Sequence, residues 1–410
     1  MTGIDGATVA TTSRLDLADS AVPAPSASFD GIEFYPDLID NAAVLTGRLA
    51  CNRPLLDANT RAARAALVLF VDLNNIAWSP DPPDIDQADQ ADQAAPGSLV
   101  TGGADQSDPF LTTADGRYLL LTSGGTGPAA MNVPVATSTD FTHWTDPVDA
   151  LPVVPGWVQR GFTWAPDLHR FGARYVLYFT AMVRDYSPQT ECIGSAVSLT
   201  PTGPFWPQPT AIICQLDQGG SIDPRVFVDS DGTPWMVWKS DQNIGGADTP
   251  TKMWSQQLAP DGLTLLGSPS LLMSPDQPWQ GTIVEAPDLF QVGNGYWVVY
   301  SANWYNHPEY AIGAARCAGP AGPCADVSPG PLLASNLQGE GPGEASVFHD
   351  GAGLWMLYSP WRSLAPQPDI PPRPVYITRL GVGAQGPYLA AGPLPGAAEL
   401  LAQPIWSPTP

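Results

Sequence analysis

The chain has 410 residues, with 40 Asp and Glu against 17 Lys and Arg and a formal net charge of −23. That balance repels phosphate backbones and anionic lipid surfaces alike, which makes nucleic acid a poor partner, while neutral glycans and cations meet no such barrier. Charged residues are only 14% of the chain, against 46 Pro and 40 Gly, a composition that favours short strands joined by frequent turns over long helices.

Residues 1–30 are rich in Ala, Ser and Thr without periodicity, and Met1–Gly6 lacks the basic and apolar segments of a secretory signal. Arg61 and Arg64 precede Ala65–Val71, seven apolar residues, too short to span a bilayer. A short ordered segment is expected near 61–78. Asp81–Gly97 is acidic and repetitive, with Asp-Gln-Ala-Asp-Gln-Ala-Asp-Gln at its centre, and cannot bury enough apolar surface to offset its ordering entropy. Residues 1–101 are therefore expected to be a largely flexible extension, with the folded domain at 102–410.

From there one pattern recurs five times. A turn rich in Pro and acidic residues leads into an apolar strand, then a Gly-containing turn, then a second and more apolar strand. The units run Ser107–Ser123, Trp164–Thr180, Ile222–Trp238, Glu285–Ser301 and Glu344–Ser359. A spacing of about 55 to 65 residues suits radial sheets of four strands that bury their faces only against their neighbours. The expected fold is all-β, a five-bladed β-propeller; a β-sandwich would not give so long and regular a period. Between the units, Cys192 can pair with Cys214 and Cys317 with Cys324, leaving Cys51 over. Such pairs suit an exported protein, and the absence of His/Cys clusters argues against zinc.

Three units open on a carboxylate, Asp108, Asp223 and Glu285. At the start of innermost strands all three would surround one end of a central funnel. Glycoside hydrolysis needs such convergence: one carboxylic acid protonates the leaving oxygen while another carboxylate activates water. Asp-Pro is also a common turn device; the ordered series Asp-Pro, Trp-Ala-Pro-Asp, Ile-Asp-Pro and Glu-Ala-Pro is what favours a site.

With these residues, from about Ala104 to Leu389, the chain resembles glycoside hydrolase family 43, the inverting arabinofuranosidases, arabinanases and xylosidases. The resemblance rests on Asp108-Pro109, Trp164-Ala165-Pro166, Ile222-Asp223-Pro224 with Phe227 and Asp229, and Glu285-Ala286-Pro287. It implies Asp108 as general base, Glu285 as general acid and Asp223 as the residue that tunes the acid. Trp164 resembles a sugar-stacking platform, although a buried core Trp is an equal reading. Tyr300–Asn303 is similar to the end of the family's fourth-blade strand, and Asn303, Trp304, Glu344 and Arg362 complete the expected substrate contacts. Trp279 is a further loop residue beside the sugar. Arg225, two residues after Asp223, would share its face and pair with it. The family often carries Gly-His in the fifth unit, a His associated with a central metal or water; this chain has Gly343-Glu344. Glu344 offers oxygens of the kind calcium takes, or it forms a salt bridge. No cofactor is required, with a central Ca2+ as one option.

The expected function is inverting hydrolysis of arabinofuranosyl or related pentosyl linkages by a secreted monomer. A xylosidase or galactosidase specificity on the same scaffold, and a catalytically inactive sugar-binding propeller, are the alternatives. A retaining fructan-acting propeller is disfavoured because the matching sites read Gln106-Ser-Asp-Pro and Ser221-Ile-Asp-Pro.

Overall fold

The computed structural model describes residues 98–100, 106–186, 188–336, 339–349, 353–361 and 372–390, with two short strands, Ser28–Phe29 and Ile32–Glu33. The chain divides into two compact units, Met1–Asp92 and Gln93–Pro410. In the first, the two short strands pair antiparallel, Phe29 against Ile32. The expected ordered segment at 61–78, the acidic stretch, Cys51 and Arg362 lie outside the described residues.

The second unit is a five-bladed β-propeller. Each blade is an antiparallel meander of four strands in sequence order, and the innermost strands are Phe110–Ala114, Val158–Phe171, Ser221–Val228, Val284–Val292 and Glu340–His349. In blade five the third strand, Tyr376–Gly383, pairs both with Gly386–Ala390 and with Ser98–Leu99, so chain from before the first blade is stitched into the last.

The second strands are apolar on both faces because each is clamped between two neighbours. Leu119 and Leu121 pack towards blade two, while Tyr118 and Leu120 pack towards blade five. Val176 and Tyr178 face blade three, Tyr175, Leu177 and Phe179 face blade one. The alternation continues around the ring and yields five hydrophobic clusters, one per blade interface, including the one that joins blade five to blade one. A two-residue period with both faces apolar is what sheets buried on both sides require. Both expected disulfides form: Cys192–Cys214 ties the third strand of blade two to the crossing segment beyond it, and Cys317–Cys324 joins the outer strands of blade four.

Candidate active site

Every blade opens with the same irregularity. One residue at the entry to the innermost strand adopts a left-handed conformation: Asp108, Ala165, Asp223, Ala286 and Glu344, with φ between 46° and 56°. In blades two to five it sits within a break in strand register, the signature of a bulge that re-aims a side chain. Such a φ is unfavourable for a residue with a Cβ, and buried hydroxyls help hold it. The Ala165 N–H donates to Ser123 Oγ at 2.9 Å, Asp223 N–H to Thr180 Oγ1 at 2.9 Å and Glu344 N–H to Ser301 Oγ at 2.8 Å. In blade four the acceptor is a carboxylate, as the Ala286 N–H donates to Asp223 Oδ2 at 3.1 Å. Each acceptor comes from the preceding blade.

This common geometry sets a register in which the fifth unit, begun at Glu344 in the sequence pattern, moves by one residue. Asp108, Asp223 and Glu344 are equivalent, whereas Glu285 stands one residue earlier, in the place of Trp164 in blade two and Gly343 in blade five. All four carboxylates are buried, at 7–9% exposure, and their fields reach one another. Asp223 is pushed up to about 8, by burial first and then by Glu285 and Asp108, against Lys239 and the Ala286 N–H. Glu344 is raised well above the usual carboxylate range, by burial and by Asp223, Asp108 and Glu285, with Arg373 opposing. In so coupled a cluster the protons belong to the group as a whole.

Two cations partner it. Lys239 is 1% exposed and donates to Glu285 Oε2 at 2.9 Å and to Asp241 Oδ1 at 3.0 Å. Desolvation works against its charge, but Glu285, Asp241 and Asp223 more than offset that and raise it above the ordinary lysine value. Arg373 lies 3.9 Å from Asp108 Oδ1, stacks 5.1 Å over the Trp361 ring and donates to the Ser359 carbonyl. Asp108 Oδ2 accepts the Ser123 hydroxyl. The Tyr310 hydroxyl sits 2.6 Å from both Glu285 Oε1 and Glu344 Oε1. Glu191, half-buried, is raised to about 7 by desolvation and by Asp241.

The other expected contacts divide. Trp164 is half-buried at the same end of the funnel, edge-on to Phe162 at 6.2 Å. Trp304 is half-buried on the loop after the second strand of blade four. Asn303 is on that loop too, but its amide donates to the Trp279 carbonyl at 2.9 Å, which ties down the neighbouring loop. Trp279 stacks on Tyr300 and joins the core cluster between blades three and four. Arg225 does not pair with Asp223, because the bulge between Ile222 and Arg225 separates their directions. It reaches the Pro166 and Pro109 carbonyls instead and lies 5.3 Å over Phe110. Glu344 Oε1 accepts from the Tyr310 hydroxyl. Among the described residues no three His, Cys, Asp or Glu side chains are grouped to hold a metal ion.

Deeper along the axis, Asp167 Oδ2 accepts the Val226 N–H and Asp288 Oδ2 the Val347 N–H. The acidic residues of the two Ala-Pro-Asp turns are thus staples between blades. Beyond them an axial cavity of about 790 Å³ lies at the far ends of the innermost strands, lined by Phe110, Phe227, Phe290 and Phe348 among others. It is separate from the carboxylate ring.

The family described as "Glycosyl hydrolases family 43" matches residues 100–386. The chain belongs to glycoside hydrolase family 43. It is 26% identical over 280 residues to extracellular endo-α-(1→5)-L-arabinanase 1 of Bacillus subtilis (strain 168), covering 62% of this chain and 82% of that protein. The crystal structure of a thermostable family-43 glycoside hydrolase superposes with a TM-score of 0.63 at 27% identity, over 74% of this chain and 99% of the other. An 82-residue stretch is 43% identical to xylosidase/arabinosidase 43A of Humicola insolens, 20% of this chain and 23% of that one. The family 43 chain is therefore a glycoside hydrolase with arabinanase and xylosidase relatives. Outside the propeller, residues 1–71 match the Fic/DOC family, and 65 residues are 42% identical to toxin Doc of Mycolicibacterium smegmatis, 16% of this chain and 50% of the toxin.

Proposed function

We propose that this family 43 enzyme hydrolyses arabinofuranosyl linkages with inversion, Asp108 acting as general base and Glu285 as general acid. The observation that carries the reading is the ring of four buried carboxylates at one end of the funnel, in which Asp108 and Glu285 occupy different surroundings. Asp108 has the Ser123 hydroxyl on one oxygen and the Arg373 guanidinium 3.9 Å from the other, which favour the anion that a base must be. Asp108 takes a proton from water, the water oxygen attacks the anomeric carbon, and Glu285 delivers a proton to the departing oxygen. Asp223 stays protonated near neutral pH and holds the peptide just after Glu285 through the Ala286 N–H. Its proposed role is to position the acid and to limit negative charge beside it.

The arabinan preference is supported by the named activity of the B. subtilis relative. Two disulfides suit an oxidising compartment, and a secreted enzyme is the reading they support; no described helix is long and apolar enough to cross a membrane. No cofactor takes part in the proposed chemistry. The test is a panel of arabinan, arabino-oligosaccharides, xylo-oligosaccharides and galactosides, with D108N and E285Q beside the wild type. Cleavage of arabinosyl substrates, lost by at least about a hundredfold in both variants, is expected. Turnover of xylosides alone would overturn the specificity, and unchanged rates in the variants would remove these residues from the chemistry.

A further inference from the structure

Two groups at the site have no role in a simple acid and base pair: Tyr310 and Glu344. The Tyr310 oxygen lies 2.6 Å from Glu285 Oε1 and 2.6 Å from Glu344 Oε1. A phenol carries one hydrogen, and two contacts this short to carboxylate oxygens need two. The Glu285, Tyr310 and Glu344 unit therefore holds one carboxyl proton besides the phenol's own. Its resting place follows from the surroundings. Glu285 presents its other oxygen to the buried Lys239 ammonium at 2.9 Å, which favours the anion. Glu344 is buried, and beside it the Asp108 and Glu285 carboxylates oppose its ionisation, with Arg373 opposing them less strongly. The chain makes room for the bridge at Gly343, where an added Cβ would overlap the Tyr310 ring.

We propose that Glu344 stores the proton that Glu285 delivers, and that Tyr310 carries it between them. The Glu344 Oε1–H bond breaks as a new phenol O–H forms, while the phenol's original O–H breaks as Glu285 Oε1–H forms. One proton moves, Tyr310 keeps one hydrogen, and Glu285 then yields that proton to the leaving oxygen and returns to its Lys239 partner. Asp108 meanwhile holds the proton withdrawn from water, and its release to solvent, with uptake of one by Glu344, restores the starting count. The residue in place of a central His thus becomes part of the acid.

The inference rests on Glu285 being the acid, and the experiment separates the two claims. Rates of E285Q, E344Q, Y310F and the E344Q/Y310F double variant are compared on an arabino-oligosaccharide and on its 4-nitrophenyl glycoside, whose leaving group departs without a proton. If Glu285 is the acid, E285Q loses about a hundredfold or more on the first and far less on the second; an equal loss on both refutes that reading. If the relay operates, E344Q and Y310F lose roughly ten- to a hundredfold on the oligosaccharide alone, and the double variant is no slower than either single one, because both break one chain. Retained nitrophenyl turnover shows that they fold. Equal losses on both substrates, or none, with E285Q still sensitive to the leaving group, overturn the relay alone.

Discussion

Replacing Lys239 with Met keeps most of the side-chain volume and removes the charge that the site's carboxylates share. At an effective dielectric near 20, contacts of 2.9 and 3.0 Å to Glu285 and Asp241 are each worth roughly 6 kcal/mol of attraction, part of which only offsets desolvation. Removing one partner of a buried pair costs about 3–5 kcal/mol, because the other charges stay behind unpaired. The loss should depend on pH. Lys239 holds down both Glu191 and Asp223, which already lie near 7 and 8; without it both rise further. A folded-state carboxyl raised above its unfolded value binds more protons in the native state, so it contributes stability that is full below the unfolded pKa and is lost as pH rises through the folded one. The deficit of K239M should thus be small at pH 5 and approach 3–5 kcal/mol at pH 8. Urea unfolding followed by tryptophan fluorescence at both pH values measures it. A deficit below about 1 kcal/mol at pH 8, or an equal deficit at the two, would refute the electrostatic role assigned to Lys239.

Two further substitutions probe the frame around the site. Gly343→Ala should drive the Tyr310 ring from its place, costing about 1–3 kcal/mol of stability by overpacking together with a loss of kcat; unaltered urea midpoint and rate would contradict the close approach. Asp288 is raised to about 7, chiefly by burial, so wild-type stability should fall as pH rises from about 4 to 7, by at most about 1.4 kcal/mol per pH unit for this group. Asp288→Asn keeps an acceptor for the Val347 N–H and should flatten that slope in a series of unfolding curves; an unchanged slope would deny Asp288 its buried proton.

The propeller was legible because its signal is periodic: five apolar strand pairs, each opening on Pro and acidic residues, cannot be buried except against one another. Asp108, Asp223 and Glu285 were legible as openers of units, yet the alignment of Glu344 with them was not. The unit bounds already set Glu285 one position before Asp108 and Asp223, but the unit begun at Glu344 hid that Glu344 matches those two, and the left-handed residue in each blade shows it. Arg225 was misjudged for the same reason, since the two-residue rule fails across a bulge. Lys239 was missed although a trace exists: Ser123, Thr180, Ser301 and Ser359 lie opposite the residue just before the left-handed one in blades one, two, four and five, and in blade three that place, opposite Ile222, is taken by Lys239. A hydroxyl at that position is the repeated device, Lys239 is the exception to it, and the unit read as ending at Trp238 stopped one residue short. Tyr310 had no local signal at all, because it is 25 residues from Glu285 and reaches it only through the fold. The apparent defect at Glu344 had a signal, the missing His, but its meaning depends on Tyr310 and could not be read without it.

The most direct test of the account is the anomeric configuration of the first-formed sugar. Proton NMR during the opening minutes of arabino-oligosaccharide hydrolysis, before mutarotation mixes the anomers, should show the product inverted relative to the bond cleaved, as a water activated by Asp108 opposite Glu285 requires. A first-formed product that retains the configuration would mean a covalent intermediate, and would contradict the roles given to both residues.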